Sequence, residues 1–231
     1  MTTADKLNKL LTTKQEIKNA IENKGVNVGD APFAEYADKI EEIEEGMNIQ
    51  DGALVQETDG VVTAYIYSSN GITKRLIDEA YCIEDIVLVD DITEISTRAF
   101  SGMNNLENFD FREPLKIIGY GSFQNSSNLK MPDELPITVE SIGTFAFRFC
   151  TFKKLHAKGL RSLGGYALGN NDNLESVKLG SEGNPVESIN VNAMRNCPNL
   201  TNITLYVDNP SEGLPDAPWG ATNATVTYLQ A

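Results

Sequence analysis

VESIGTFAFRFC, residues 139–150, returns as VESINVNAMRNC at residues 186–197, with Val, Glu, Ser, Ile, Ala and the closing Cys in the same places. Working outward from this phrase, Ile95, Ile118, Ile142, Leu163 and Ile189 fall in one column, separated by 23, 24, 21 and 26 residues. That is the period of a repeat architecture. Five positions after each anchor stand Phe100, Phe123, Phe147, Leu168 and Met194, each preceded by a small residue: Ala99, Ser122, Ala146, Ala167 or Ala193. Leu106, Leu129, Phe152, Leu174 and Leu200 follow, and then bulky pairs separated by one residue: Phe109 with Phe111, Val177 with Leu179, Ile203 with Leu205, and Leu155 alone. The third copy is one residue short between Phe147 and Phe152, and the second breaks off at MPDELP, residues 131–136. A half-copy, EDIVLVDDITEI at residues 84–95, supplies Ile86 and Leu88 as the strand of an initial turn.

Each copy reads as one short strand with alternate side chains inward and one tight turn in which a small residue lets the backbone bend over the Phe. One coil cannot bury its own apolar edge. Stacked at about 4.8 Å, the strands become rungs of a parallel sheet and Phe lies on Phe, so the repetition follows from a one-dimensional fold. Cys150 and Cys197 share a column with Met103, Ser126 and Asn171, which marks them as small buried fillers and not nucleophiles. With Cys82 the cysteines number three, widely spaced and without a C-x-x-C pair, so neither a disulfide framework nor a zinc site is implied.

IGTFAFRFCTFKKL, ISTRAFSGMNNLENFDF and INVNAMRNCPNLTNITL resemble the BspA-like leucine-rich repeat, I-G-x-x-A-F-x-x-C-x-x-L-x-x-I-x-[IL], over about residues 83–228. APWGATNATVTY, residues 217–228, is similar to the closing turn of such arrays. The resemblance implies a solenoid with a parallel sheet, used for adhesion and for protein or glycan contact, and no catalytic activity. Two departures, the truncated second copy and a post-anchor Gly retained only at Gly119, Gly143 and Gly164, imply irregular curvature around residues 115–138.

Upstream, TADKLNKLLTTKQEIKNAIE, residues 3–22, sets Leu7, Leu10, Leu11, Ile17 and Ile21 on one helical stripe, with Thr2 or Thr3 as cap and Gly25 as stop. Lys14 interrupts its three-four spacing, which suits either a short coiled coil or a helix lying on its own hairpin partner. A second helix is predicted over residues 32–45, with Phe33, Tyr36, Ala37 and Ile40 inward. Both helices are expected to pair with sister chains or another protein. Residues 47–81 carry β-branched and aromatic runs broken by Asp59-Gly60 and Asn70-Gly71, which predicts three short antiparallel strands. The fold class expected is therefore α+β: a helical attachment or oligomerisation segment at 1–46, a β-hairpin connector at 47–82, and a repeat domain with C-terminal cap at 83–231. The leader, from Lys6 and Leu7 through Val28 and from Phe33 to Ile40, resembles a helical segment of bacteriophage tail-fibre and baseplate-associated proteins, which implies attachment or oligomerisation within a virion.

Lys and Arg number 19 against 33 Asp and Glu, a net charge of -14 that repels nucleic acid and anionic lipid. No run approaches the roughly 20 apolar residues of a membrane helix, and no signal peptide is apparent, so synthesis and folding in the cytoplasm are expected. Chemistry is equally sparse. Any His-based catalysis must use His156, the one histidine, placed at a strand end among Lys153, Lys154 and Lys158 where it is expected to face solvent. The acidic stretches EEIEE (41–45), VDD (89–91) and DNPSEGLPD (208–216) lack the spacing of a catalytic pair or a calcium loop, and IGYGSF (118–123) lacks the third Gly of a phosphate cradle. No catalytic residue, cofactor or metal ligand is assigned. Tyr120, Tyr166, Tyr206 and Trp219 are candidate aromatic platforms on the surface, Trp219 serving equally well as the lid of the last coil.

These readings converge on a virion protein, a tail fibre or receptor-binding protein assembled in the host cytoplasm, held by its leader to other virion proteins and contacting a host surface protein or glycan through its repeats. A homotrimer is the expected assembly. The alternatives are a non-receptor component, such as a collar, head fibre or decoration protein, and a bacterial surface adhesin with the same repeats.

Overall fold

The computed structural model describes residues 17–18, 48–50, 53–58, 61–66, 83–88 and 92–231. The chain divides into two units, Met1–Asn48 and Ile49–Ala231, and the repeats belong to the second. The strands are β1 (Asn48–Gln50), β2 (Ala53–Thr58), β3 (Val61–Ile66), β4 (Asp85–Leu88), β5 (Glu94–Ile95), β6 (Asn108–Phe109) and β7 (Ile117–Ile118). They continue with β8 (Ser141–Ile142), β9 (Lys154–Ala157), β10 (Ser162–Leu163), β11 (Ser176–Leu179), β12 (Ser188–Ile189), β13 (Asn202–Val207) and β14 (Thr225–Gln230).

The α+β class is overturned. The described residues form a parallel β-solenoid of about six turns with no helix beyond the pair Ile17 and Lys18. Leu7, Leu10, Leu11, Ile21, Phe33, Tyr36 and Ile40 lie outside the described residues, and with them the apolar stripe expected of a helical segment.

A complete copy of the repeat holds two strands, not one. The anchors themselves form a sheet of two-residue rungs in the order β12-β10-β8-β7-β5, all parallel, with Ile95, Ile118, Ile142, Leu163 and Ile189 in register and buried. Here the post-anchor glycines have their reason: a Cβ on Gly119 would stand 2.4 Å from the Ile95 carbonyl oxygen, and one on Gly164 would stand 2.4 Å from the Thr144 nitrogen. The anchor rungs approach too closely for a side chain.

The bulky pairs build the other face. β9, β11, β13 and β14 run parallel, Leu155, Val177, Ile203 and Val226 sharing one register position. Along β13 burial alternates residue by residue, as a strand with one face inward requires. The same face continues upstream as β3, β4 and β6, with β2 and β3 antiparallel across Asp59-Gly60 from Thr58 to Val61. β3 pairs parallel with β4, so the connector hairpin is hydrogen-bonded into the array and continues its sheet. The second tight turn expected at Asn70-Gly71 lies outside the described residues. Between the two stretches the truncated second copy leaves a single bridge, Asn108 to Lys130, and Leu135 closes the gap by donating its N–H to the His156 carbonyl at 2.8 Å.

Between the faces the core is a set of columns. Phe100, Phe123, Phe147, Leu168 and Met194 are 0–2% exposed, and so are Leu106, Leu129, Leu174 and Leu200. Phe123 and Phe147 stack at 5.3 Å and 5°, and Phe100 lies 5.4 Å from Phe123. Trp219 extends this column. It is fully buried, so of its two expected roles burial fits the lid of the last coil and not the surface aromatic. Its indole N–H donates to the Pro215 carbonyl at 2.8 Å, and its own carbonyl accepts from the Met194 N–H. Leu214, five residues before Trp219, packs partly buried against the core, and β14 adds a last rung beside β13, so residues 214–230 continue the array and are not merely a closing turn.

The filler column also makes hydrogen bonds. Ser126 Oγ donates to the Phe100 carbonyl at 2.7 Å, Cys150 Sγ to Phe123 at 3.3 Å, Asn171 Nδ2 to Phe147 at 2.9 Å, and Cys197 Sγ to Leu168 at 3.0 Å. One small donor per coil thus satisfies a carbonyl of the coil before it. Burial pushes the Cys150 thiol up to about 12 and the Cys197 thiol to about 11, which leaves both protonated and inert.

Candidate interaction surface

From each anchor the chain must turn sharply towards the second face, and two columns of left-handed residues make that turn. The third residue after the anchor is Arg98 (φ 56°), Gly121 (57°), Phe145 (61°) or Tyr166 (51°). The second residue after the core column is Gly102 (79°), Asn125 (65°), Phe149 (60°), Asn170 (59°) or Asn196 (61°). Gly and Asn adopt this region readily, whereas an L-residue with a bulky side chain pays about 1–2 kcal/mol there. Hydrogen bonds between coils hold the strained residues in place: the N–H groups of Phe145, Phe149 and Tyr166 donate to the carbonyls of Gly165, Gly169 and Asn192.

What the strain achieves is display. Tyr120, Phe145 and Tyr166 form a ladder along the ridge of turns, with ring centroids 5.5 and 5.7 Å apart. Arginines are interleaved. Arg98 lies over Tyr120 at 5.6 Å, and Arg148 contacts Phe145, Phe149 and Tyr166 at 5.2, 4.6 and 5.3 Å. Arg195 donates to the Tyr166 hydroxyl at 3.2 Å. Gly169 makes room for the ladder, since a Cβ there would stand 2.9 Å from the Tyr166 ring. Phe149 is 41% and Tyr120 37% exposed, and Val191 on the same ridge is 47% exposed. Beyond Arg195 lies a groove of about 700 Å³ lined by Val191, Arg195, Cys197, Asp172, Asp216 and Gly220.

Tyr120 and Tyr166 stand together on this ridge. Tyr206 does not: it is half-buried on β13, with the Lys178 ammonium 5.7 Å from its ring. Phe145 and Phe149 escaped the sequence reading, although a signal was present. They flank Phe147 at two residues on either side, so if Phe147 points into the core they occupy turn positions that other copies give to Arg, Gly, Tyr or Asn.

The remaining candidates offer no chemistry. His156 sits on the outer face of β9, with Nδ1 3.3 Å from a Glu134 oxygen that also takes Lys158 at 2.9 Å. Its side chain is 23% exposed and Nε2 is buried without a partner, so on this outward position it is only partly open to solvent. Burial lowers its proton affinity below the ordinary imidazole value, against the pull of Glu134. Among the described residues no group of three or more His, Cys, Asp or Glu side chains stands close enough to hold a metal ion. Of the acidic stretches, residues 89–91 and 41–45 lie outside the described residues.

Residues 70–133 and 133–211 match a family model described as BspA type leucine rich repeat region, in six copies. No curated protein matches the chain. A leucine-rich repeat protein from Bacteroides ovatus, known by crystal structure, is similar at 17% identity and a TM-score of 0.39 over 68% of this chain. The chain spans 55% of that protein's length.

Proposed function

The chain belongs to the BspA-type leucine-rich repeat family, and from that premise we propose that it is a non-catalytic interaction module of the surface-adhesin kind, which holds a protein partner on its ridge of turns. One observation carries the reading: bulky aromatic residues occupy left-handed backbone positions at Phe145, Phe149 and Tyr166, where Gly or Asn would serve the fold at lower cost. Tyr, Phe and Arg at the centre of a patch, with Ser, Asn, Thr and Gly around them, are the residue types that dominate binding energy at protein interfaces. The family that matches is a repeat family and no enzyme family, and the two thiols of the ridge segments, Cys150 and Cys197, are buried. The finer reading of a bacteriophage tail fibre rests on the leader resemblance alone. Neither the family match nor the fold adds support to it, so the adhesin reading is preferred.

The test is a selection of yeast-displayed random peptides on the full chain, with each binder re-measured against a variant carrying Phe145→Gly, Phe149→Gly and Tyr166→Gly. These substitutions keep the left-handed backbone while removing the rings. Binders that lose about tenfold or more in affinity support the reading. A set of binders indifferent to the three substitutions would sink it.

A further inference from the structure

The charges of the ridge differ from those of the molecule around it. Although the chain carries -14 overall, the turn segments 96–105, 119–128, 143–152, 164–173 and 190–199 contain a single acid, Asp172, and no Lys, and their other charged residues are Arg98, Arg148 and Arg195. Off the ridge, Arg112 pairs with Asp110 at 2.9 Å and Arg161 with Glu187 at 2.7 Å. Lys130, Lys153 and Lys158 likewise have carboxylate partners in Glu107, Glu175 and Glu134. Among the described arginines, the three on the ridge are the ones without a carboxylate partner, in a chain with acids to spare.

They are nevertheless held against the ridge. Arg148 is surrounded by three rings and its Nε donates to Asn170 Oδ1 at 3.1 Å, which leaves its terminal N–H groups without a protein acceptor. Arg195 is tied through one terminal nitrogen, Nη1, to Tyr166 Oη at 3.2 Å and Asn192 Oδ1 at 3.5 Å, and Arg98 packs on Tyr120. A guanidinium held against its neighbours with terminal N–H groups still free is arranged to receive a carboxylate through charge-assisted hydrogen bonds. Rings and guanidiniums form one run of contacts from Arg98 through Tyr120, Phe145, Arg148 and Tyr166 to Arg195, across five consecutive coils.

We infer that the partner held on this ridge is a protein segment bearing Asp or Glu side chains beside apolar ones, its carboxylates received by Arg98, Arg148 and Arg195 and its apolar groups by the rings between them. The inference rests on the interaction-module reading above. Two features favour a peptide over an acidic polysaccharide. The rings meet at 81° and 43°, and so do not present the coplanar faces on which a row of sugar rings would lie. The surrounding positions are Ser, Thr, Asn and Gly, a protein-binding composition. Because the molecule as a whole is acidic, the attraction acts at short range and is strengthened where ridge and partner exclude water.

The same peptide selection separates this inference from the reading beneath it. Ridge-dependent binders enriched in Asp and Glu next to apolar residues are expected. A synthetic binder should weaken at least about tenfold with Arg98→Gln, Arg148→Gln and Arg195→Gln combined, weaken in part with the matching Lys variant, which keeps the charge and loses the planar fork, and be unaffected by Arg112→Gln. The circular dichroism of the variants and the fluorescence of buried Trp219 report that they are folded. Ridge-dependent binders without acidic enrichment would overturn the carboxylate inference and leave the interaction module standing, whereas the absence of ridge-dependent binders would overturn both. Polygalacturonate binding as tightly as the peptide with the same arginine dependence would make the ligand an anionic glycan and refute the peptide. A dimer in sedimentation that the Gln variant abolishes would make the partner a second copy, and refutes the inference equally.

Discussion

Phe147 and Phe149 stand two residues apart with opposite expectations. Phe147 is 0% exposed, stacks on Phe123 at 5.3 Å, meets Phe152 edge-on at 5.7 Å and lies 6.2 Å from Phe111. Phe147→Ala removes a buried ring in the middle of the array, for which the cost is about 3–5 kcal/mol. The lost aromatic pairs, at about 0.5–1.5 kcal/mol each, place it in the upper half of that range. Phe149 is 41% exposed at φ 60°. Phe149→Gly recovers about 1–2 kcal/mol of left-handed strain, and loses about 0.5–1 kcal/mol of cation–π contact with Arg148 and some backbone entropy of the unfolded chain. Its net effect is expected within about 1 kcal/mol of zero. Urea unfolding followed by circular dichroism and by Trp219 fluorescence reads both values. In thermal unfolding, where a chain of this length shifts by about 2–4 °C per kcal/mol, Phe147→Ala lowers the midpoint by about 8–20 °C. A loss above about 2 kcal/mol for Phe149→Gly would show that the ridge aromatics serve the fold, and the functional reading of the surface would go with it.

Other measurements probe the array itself. Ser126→Ala removes the donor to the Phe100 carbonyl and should cost about 1–3 kcal/mol, while Ser126→Cys, which restores a donor that two other coils use, should recover part of it in the same urea titration. Cys150 and Cys197 should resist iodoacetamide at pH 8 in the folded chain and react once it is unfolded, as mass spectrometry will show. Their raised folded values have a second consequence. Above the ordinary thiol value the unfolded chain releases protons that the folded chain keeps, so the thiols' contribution to stability is complete below about pH 8.5 and is lost as pH rises towards 11–12. Replacing both by Ser should flatten that alkaline decline. For His156 the folded value is lowered, the unfolded chain binds the extra proton, and stability falls as pH drops through and below about 6.5. His156→Gln should remove that segment of the pH profile, and an unchanged profile would show that the imidazole is not desolvated.

The repeat columns were legible because a stacked fold imposes the same burial on the same position in every coil. Ile95 predicts Ile118, and Phe100 predicts Phe123, without any knowledge of the turns between. The second strand per coil escaped because a two-residue rung such as Ser141–Ile142 has no periodicity of its own, and its hydrogen bonds come entirely from neighbouring coils. The last stretch of the array was hidden for a related reason: Trp219 fills the core and Leu214 packs against it with side chains unlike those of the other copies, so similarity of letters fails there. The helices expected of the leader rest on an apolar stripe alone, whose partner the sequence does not supply.

The candidate surface obeys a different logic, and this determines what in it could be read. A core column is detected by what recurs, because each coil solves the same packing problem. A contact surface on a solenoid is detected by what fails to recur at a position that the fold leaves free. Of the left-handed residues in column three after the anchor, Arg98, Gly121, Phe145 and Tyr166, only Gly121 is what the turn alone would favour. The departures become adjacent once the coils are stacked, since positions 20 to 30 apart in sequence then lie one coil apart along the ridge. Tyr120 touching Phe145 and Tyr166 touching Arg195 therefore follow from the period together with the substitutions, although neither pair is near in sequence. If the ridge is the contact surface, the residues that break the repeat without harming the fold are the ones that determine what the protein holds.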